Sequence, residues 1–120
     1  MISLFRIDER LIHGQVAYAW STAYEIDKIV VIDDQVVNDE IQKMMLKMAV
    51  PKNKGFSIFT VDEAIDYFNK NINDKEKVFV VVKKPEIVLR LVEGHVPIKS
   101  INVGGMYYKE GKEKISKTVY

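Results

Sequence analysis

The sequence contains no cysteine and only two histidines in 120 residues. Without cysteine, neither a disulfide bond nor a thiolate metal site can form, and two histidines alone do not make a metal site. The formal net charge is +1, so the overall charge gives no reason to expect nucleic acid or an acidic membrane surface as a partner. Any basic binding site must therefore be local.

Long hydrophobic runs are also missing from the sequence. No apolar stretch approaches the roughly 20 residues that a bilayer-spanning helix needs, and the first residues lack the basic and apolar regions of a signal peptide. A chain of 120 residues is one domain, long enough for a real core but with no room for a second domain. We therefore expect one cytoplasmic domain over residues 1–120.

The sequence does contain a regular alternation of apolar runs and helical patterns. Runs rich in β-branched and aromatic residues predict five strands, over residues 2–7, 28–32, 56–59, 78–82 and 98–103. Helical spacing separates these runs, which predicts an α/β fold with an open, mainly parallel sheet and helices on both faces. The run at 78–82 is the most apolar, so we expect it at the centre of the sheet.

Several residues mark where the predicted helices begin and end. Asn38, followed by two acidic residues, indicates a helix start, because short acceptors and carboxylates favour the positive end of a helix. Thr60 and Glu63 have the spacing of a capping box. Pro85 is expected at the first position of the fourth helix, and Gly94 at its end.

An apolar stripe follows the second predicted strand. Its members are Ile41, Met44, Met45 and Met48, and Pro51 ends the helix that carries them. Methionine is flexible and fills irregular gaps between packed elements. We therefore expect this stripe to face the core.

His13 lies where the first apolar strand pattern ends and helical spacing begins. In an open α/β sheet, ligands bind beyond the carboxyl ends of the strands, which is where this loop falls. Imidazole is nucleophilic near neutral pH, since its ordinary pKa is about 6.5. A phosphoryl group on it would point towards the N–H groups of the helix start, where Gly14 and Gln15 are the predicted phosphate-binding positions and Gly14 allows close approach.

Arg10 and Asp8 precede His13 in the same loop. Arg10 offers a planar fork of donors that suits phosphate oxygens, or it is a surface arginine paired with Glu9 or Asp8. Asp8 either orients Arg10 or holds a proton on His13, or it is only a turn residue at the end of a strand. The sequence leaves both alternatives open.

Other residues are candidates only if the topology brings them to the same loop. If the first and fourth strands are neighbours, Lys83 and Lys84 lie near His13 and can contact phosphate. Residues 102–105 end the fifth strand with two glycines that either line the pocket or form a turn. His95 follows a helix end and is expected to be a solvated loop residue.

Four segments together resemble one known family. Residues 6–16, with the sequence RIDERLIHGQV, strongly resemble the signature of the enzyme IIB component of the mannose/fructose/sorbose family of the bacterial sugar phosphotransferase system (PTS). The segments VIDD at 31–34, MAVP at 48–51 and NVGGM at 102–106 are also similar to that family and stand in its order. The resemblance covers nearly the whole chain.

The resemblance implies a phosphocarrier, a protein-phosphohistidine–sugar phosphotransferase. His13 would accept a phosphoryl group on Nδ1 from a phosphohistidine of the IIA protein or domain. It would pass that group to a sugar entering through the membrane components IIC and IID, so the chain would act at the inner face of the membrane. Arg10 matches the family's phosphate-stabilising arginine, and Asp8 matches its loop aspartate. The resemblance implies no metal, nucleotide or other cofactor.

Two features of the chain depart from the family pattern. Glu9 stands where the family commonly has aspartate, and the family's domains are longer than this chain. We expect the C-terminal strand and helix to be missing, with an exposed apolar sheet edge that favours a homodimer.

Two other functions compete with the phosphocarrier. A histidine phosphatase also uses a phosphohistidine, but its arginine characteristically comes directly before the histidine, whereas Leu11 and Ile12 intervene here. The alternative from another class is a non-catalytic binding module in which His13 senses an anion without being modified.

Overall fold

The computed structural model describes residues 2–12, 14–72 and 74–103, without the side chains of residues 14–17. Its sheet consists of parallel strands in the order β3-β2-β4-β1-β5. Their bounds are β1 (Ile2–Ile7), β2 (Lys28–Ile32), β3 (Gly55–Phe59), β4 (Val78–Val82) and β5 (Asn102–Val103). This arrangement confirms the predicted open α/β sheet and the central place of the most apolar strand. The end of the chain, where we expect the family's C-terminal strand and helix to be missing, falls outside the described residues.

The helices cover both faces of the sheet. Their bounds are α1 (Gly14–Ala23), α2 (Glu40–Ala49), α3 (Val61–Lys70) and α4 (Pro85–Glu93), with a short 3₁₀ helix at Val36–Asn38 before α2. The segments around α1 and α2 pack on one face, and α3 and α4 pack on the other. In the part of the chain that the structure describes, no helix has the length and apolar character to cross a membrane.

Side-chain alternation along the strands builds a core on each face. On β1, Leu4 belongs to the core beneath α1 and α2, whereas Phe5 and Ile7 belong to the core beneath α3 and α4. Every residue of β4 is buried, because this strand has neighbours on both sides and helices above and below. The side chains of β4 therefore contribute alternately to the two cores.

The predicted helix signals are present in the structure. Thr60 Oγ1 accepts from the Glu63 N–H at 3.1 Å, and Glu63 Oε1 accepts from the Thr60 N–H at 2.8 Å, which completes the capping box of α3. Pro85 is the first residue of α4, and Gly94 follows its last. The cap of α2 is Asp39 rather than Asn38, with Oδ1 accepting from the Gln42 N–H at 3.0 Å.

The expectation that the methionine stripe faces the core is wrong. The four apolar side chains of α2 are between 62% and 79% exposed; they are Ile41, Met44, Met45 and Met48. Leu46 is instead the buried residue of this helix, with Ala49 packed partly beside it. The side of α2 that faces the core is therefore the one opposite the apolar stripe.

The fifth strand is shorter than predicted. Among the residues that the structure describes, Asn102 and Val103 alone pair here, with Arg6 and Ile7 of β1. Residues 98–101 do not continue the ladder, although Ile98 and Ile101 pack against the core. On its other side, β1 pairs with β4, and that pairing is irregular between Ile2 and Leu4.

Gly94 is expected to tolerate no side chain. A Cβ atom at this position would lie 2.6 Å from Ile65 Cδ1 and 2.7 Å from Ile65 Cγ1, and Ile65 is itself packed against the core. We expect Gly94→Ala to lower the free energy of unfolding by about 1–3 kcal/mol, the usual cost of overpacking, as measured by urea denaturation. Adding Ile65→Ala should make the Gly94→Ala change nearly neutral.

Gly55→Ala is the matched control for this prediction. Its Cβ would lie 3.3 Å from Lys28 Cγ, which belongs to a long side chain that can move aside. We expect a change within about 0.5 kcal/mol, as for an ordinary surface substitution. Equal losses for the two alanine variants would contradict the proposed clash.

Candidate functional site

The carboxyl ends of β1 and β4 lie side by side. Ile7 pairs with Val82, and the Asp8 N–H donates to the Val82 carbonyl at 2.9 Å. The chain leaves β1 towards one face of the sheet and leaves β4 towards the other, so a crevice opens between their loops. Lys83 directly follows Val82 and therefore lies at this crevice beside the loop that leads to His13. His13 itself lies outside the described residues.

Asp8 is the buried centre of this loop. Its carboxylate has no solvent exposure, and its Oδ1 accepts from the Arg10 N–H at 3.0 Å. Arg10 Nε lies 3.5 Å from the same oxygen, and Arg6 Nε lies 3.4 Å from Oδ2. Asp8 thus contacts Arg10 through both the backbone and the side chain of the arginine, at the turn that follows β1.

Arg6 is a site residue that the sequence analysis missed. Its side chain is only 11% exposed, contacts Asp8 and donates from Nη1 to Asn102 Oδ1. Its guanidinium carbon lies 5.3 Å from the centre of the Trp20 ring, within the range of a cation–π contact. The available signal was a charged residue inside an otherwise apolar strand, because such a charge needs a partner when it is buried.

The loop between Asp8 and position 13 is held at several points. The Leu11 N–H donates to the Asp8 carbonyl at 2.9 Å, which closes a tight turn. Leu11 has a φ of 56°, a left-handed conformation that costs a non-glycine residue roughly 1–2 kcal/mol. The side chains of Leu11 and Ile12 are both buried in the core beneath α1 and α2, which offsets that cost. Residue 13 is therefore attached to a firmly anchored segment.

Positive groups collect at this edge of the sheet. Arg10 is 60% exposed, Lys83 is half-buried and Lys84 is exposed at the start of α4. Within the described ranges, neither lysine forms an ion pair. Gly14 is the first residue of α1, so the free N–H groups of that helix begin directly after position 13. An anion at this edge would meet positive charge from three directions.

The carboxylates at the end of β2 have a different role. Asp33 is buried, and its Oδ1 accepts from the N–H groups of Gln35 at 2.8 Å and Val36 at 3.0 Å. Asp34 accepts from the Val61 N–H at 2.8 Å and pairs with Arg90 Nη1 at 2.8 Å. The hydrogen bond from Val61, followed by that from Arg90, lowers the pKa of Asp34. These contacts fix the chain around α3 and α4.

His95 lies apart from the crevice, at the other end of α4. His95 is exposed and has a φ of 66° at the end of α4, as expected for a loop residue. Gly104 and Gly105 lie outside the described residues. The structure contains no group of three or more histidine, aspartate or glutamate side chains suited to a metal ion among the residues it describes.

Comparison with known proteins identifies a consistent set of relatives. Residues 2–120 match the family described as the PTS system sorbose subfamily IIB component. The sorbose-specific EIIB component of Lacticaseibacillus casei is 41% identical over 119 residues, which cover 99% of this chain and 73% of that protein. The mannose-specific EIIAB component of Escherichia coli is 38% identical over 99% of this chain and 37% of its own length.

A solved structure agrees with this comparison. The IIBSor domain of the sorbose permease from Klebsiella pneumoniae matches with a TM-score of 0.84 and 34% identity. The match covers 92% of this chain and 68% of that domain. The chain thus spans about two thirds to three quarters of the single-domain relatives it matches.

Asp8 should matter more for stability than the other aspartate–arginine pair at this edge. We expect Asp8→Ala to lower the free energy of unfolding by about 3 kcal/mol, because it leaves the nearly buried Arg6 without its carboxylate. Asp34→Ala should cost about 1 kcal/mol, as for the loss of a half-exposed helix-capping acceptor. Urea denaturation of both variants measures the difference, and equal losses would contradict the central role of Asp8.

Proposed function

This chain belongs to the sorbose subfamily of phosphotransferase system IIB components, and on that premise we propose that it is a phosphocarrier acting through His13. The imidazole of His13 attacks the phosphorus of a phosphohistidine on a IIA protein or domain. The old N–P bond breaks as the new one forms, which returns a free imidazole to IIA. A sugar hydroxyl then attacks the phosphorus, the N–P bond to His13 breaks, and the hydroxyl proton passes to the freed imidazole nitrogen.

The observation that carries this proposal is the Arg6–Asp8–Arg10 cluster beside the loop that leads to position 13. Two guanidinium groups share one buried carboxylate, so the cluster has a net positive charge before any anion arrives. Phosphoryl transfer spreads negative charge over the equatorial oxygens, and a protein accelerates it mainly by positioning and electrostatic stabilisation. The guanidinium of Arg10 and the N–H groups at the start of α1 supply this positioning and this electrostatic stabilisation.

Each site residue receives a separate role in this proposal. Arg10 contacts the phosphoryl oxygens through its planar fork of donors. Asp8 is a positioning residue, since it holds Arg10 by both its backbone and its side chain. Gly14 and Gln15 offer backbone N–H groups at the helix start. Lys83 and Lys84 add positive charge from the neighbouring loop.

The proposed partners follow from the family. A IIA protein or domain is the proposed donor, and the name of the mannose-specific EIIAB relative joins A and B components in one protein. The proposed acceptor is a sugar presented by the membrane components IIC and IID, so we propose that the chain works at the cytoplasmic face of the membrane. The relatives are named for different sugars, and the proposal therefore extends to a sugar as a class. Assembly into a homodimer stays a prediction.

The alternative function is a module that binds an anion without becoming modified. The charged crevice suits both functions, since either needs positive charge at the carboxyl edge of the sheet. Covalent modification separates them, because only a phosphocarrier gains a phosphoryl group.

His13 should be the site of modification. Incubation with phosphoenolpyruvate, the general transfer proteins and a cognate IIA should add one phosphoryl group that is labile in acid and stable in base. His13→Ala should gain none, whereas His95→Ala should be labelled like the wild type. Tandem mass spectrometry locates the group, and a label on His95 or on a serine would overturn the assignment.

Arg10 should contribute to the rate rather than to the fold. We expect Arg10→Ala to lower the rate of phosphoryl transfer by about 10² to 10³, the range for removing one well-placed donor. Arg10→Lys should keep part of the rate, because lysine supplies the charge without the fork. Quenched-flow measurement of transfer from labelled IIA gives these rates.

Arg90→Ala is the matched control for Arg10. Arg90 is also a half-exposed arginine paired with an aspartate at a strand end, but its partner is Asp34. We expect its transfer rate to equal that of the wild type. If Arg10→Ala transferred at the wild-type rate with an intact fold, Arg10 would be a surface ion-pair partner only.

A further inference from the structure

The outward side of α2 is exposed and apolar. We call the four exposed apolar residues of this helix the α2 stripe; they are Ile41, Met44, Met45 and Met48. Single exposed apolar residues are ordinary, but a contiguous set of large ones on one helix marks an interaction site. The proposed phosphoryl transfer does not use this surface.

Three lysines extend the α2 stripe at its carboxyl end. An open groove of about 660 Å³ lies there, with Met48, Pro51 and other apolar side chains between Lys47, Lys52 and Lys54. Among the described residues these three lysines form no ion pair, whereas Lys43, nearer the start of the helix, pairs with Glu40 at 3.3 Å. The surface is therefore both apolar and basic.

The same surface continues onto α1. A second groove connects Pro51 and Lys54 with Tyr18, which is largely exposed. Two acidic residues line this groove, but both already have partners. Glu25 pairs with Lys77 Nζ at 3.2 Å, and Asp27 Oδ2 accepts from the Lys77 N–H at 2.9 Å. The backbone N–H leaves Asp27 charged, so the three lysines against this one carboxylate give the end of the patch a net positive charge.

Charge complementarity decides what this surface fits. A second copy packed with its α2 parallel would bring unpaired lysines against unpaired lysines, and like charges in contact are unfavourable. An antiparallel copy would set these lysines against the start of the other α2, where Glu40 already pairs with Lys43. An anionic bilayer instead offers negative headgroups to the lysines and an apolar layer to the α2 stripe. Tyrosine is also favoured at the boundary between the two layers.

We propose that the α2 stripe, with Lys47, Lys52 and Lys54, docks this protein directly on an anionic lipid bilayer. The proposal goes beyond phosphoryl transfer and does not depend on it. It also suits the geometry, because α2 runs away from the carboxyl edge of the sheet and the turn before Gly55 lies at the opposite edge. Docking through this face leaves the crevice beside β1 and β4 open to a protein partner.

Flotation with lipid vesicles tests the proposal on the full chain. Wild-type protein should bind vesicles of phosphatidylglycerol mixed with phosphatidylcholine, and should bind phosphatidylcholine alone far more weakly. Changing Lys47, Lys52 and Lys54 together to Gln should lower the partition coefficient on the order of 100-fold, at about fivefold for each lysine. Raising the salt concentration should weaken wild-type binding in the same direction.

The apolar part of the surface has its own variant and control. Met44→Gln with Met48→Gln should lower binding about 10-fold, since two apolar side chains are lost from the interface. Leu89→Gln with Val92→Gln is the matched control, because this exposed apolar pair lies on α4, on the opposite face, next to Glu93. It should bind like the wild type, and circular dichroism checks that each variant folds.

Other outcomes overturn the proposal in distinct ways. Equal binding to both kinds of vesicle would contradict the role of the lysine charges. Binding to neither kind would contradict a lipid bilayer as the partner of this surface. Binding that required purified IIC and IID in the vesicles would assign the surface to a protein partner. Sedimentation in which only the stripe variants lost a dimer would assign it to a second copy. His13→Ala should bind vesicles normally, so failure of phosphoryl transfer and failure of docking are separable.

Discussion

The buried carboxylate of Asp8 is the constraint on which the rest of the site depends. A carboxylate without solvent exposure is costly unless charged partners and hydrogen bonds surround it. Arg6 approaches it from within β1, and Arg10 approaches it from the following turn through both its backbone and its side chain. The need to satisfy one buried charge therefore fixes the end of the strand, the turn and the position of Arg10.

The order of the strands explains why this constraint falls at a crevice. β1 lies between β4 and β5, so the Asp8 N–H completes a ladder with Val82 while Arg6 reaches Asn102 on the other side. The chains leaving β1 and β4 turn to opposite faces, which keeps helices from closing the space between them. β4 is fully apolar and buried on both faces, which favours a place at the centre of the sheet. That place sets β4 beside β1 and so brings their two loops together.

Much of the fold was predictable because its signals are local. Apolar runs gave the bounds of β1, β2 and β4, and the Thr60–Glu63 pair and Pro85 marked helix starts, since each depends on a few neighbouring residues. The predictions that were wrong depended on contacts between residues far apart in the sequence. Periodicity showed that α2 has an apolar stripe but not that Leu46, on the other side, faces the core.

The candidate site shows the same limit. Asp8, Arg10 and the loop to His13 stand together in the sequence, so their common location was predictable. The proximity of Lys83 depended on β1 and β4 being neighbours, which is a property of the sheet order. Arg6 was missed because its partners include Asn102, which is 96 residues away. A charge inside an apolar strand is the pattern that points to such a partner.

The two aspartate–arginine pairs at the carboxyl edge show why residue type alone does not define a site. Asp34 and Arg90 are both half-exposed, so water screens their attraction, and the Val61 N–H is the largest cause of the lowered Asp34 pKa. Asp8 is shielded from water and contacts two arginines. One negative charge balances only one of the two guanidinium groups, so the cluster has an excess of one positive charge. Arg10 is the more exposed of the two, so the excess charge faces solvent; under the proposed function it meets the phosphoryl group from a position that Asp8 sets beforehand. Preorganised charge of this kind stabilises a transition state more effectively than a mobile surface arginine, since no reorganisation is needed during the reaction.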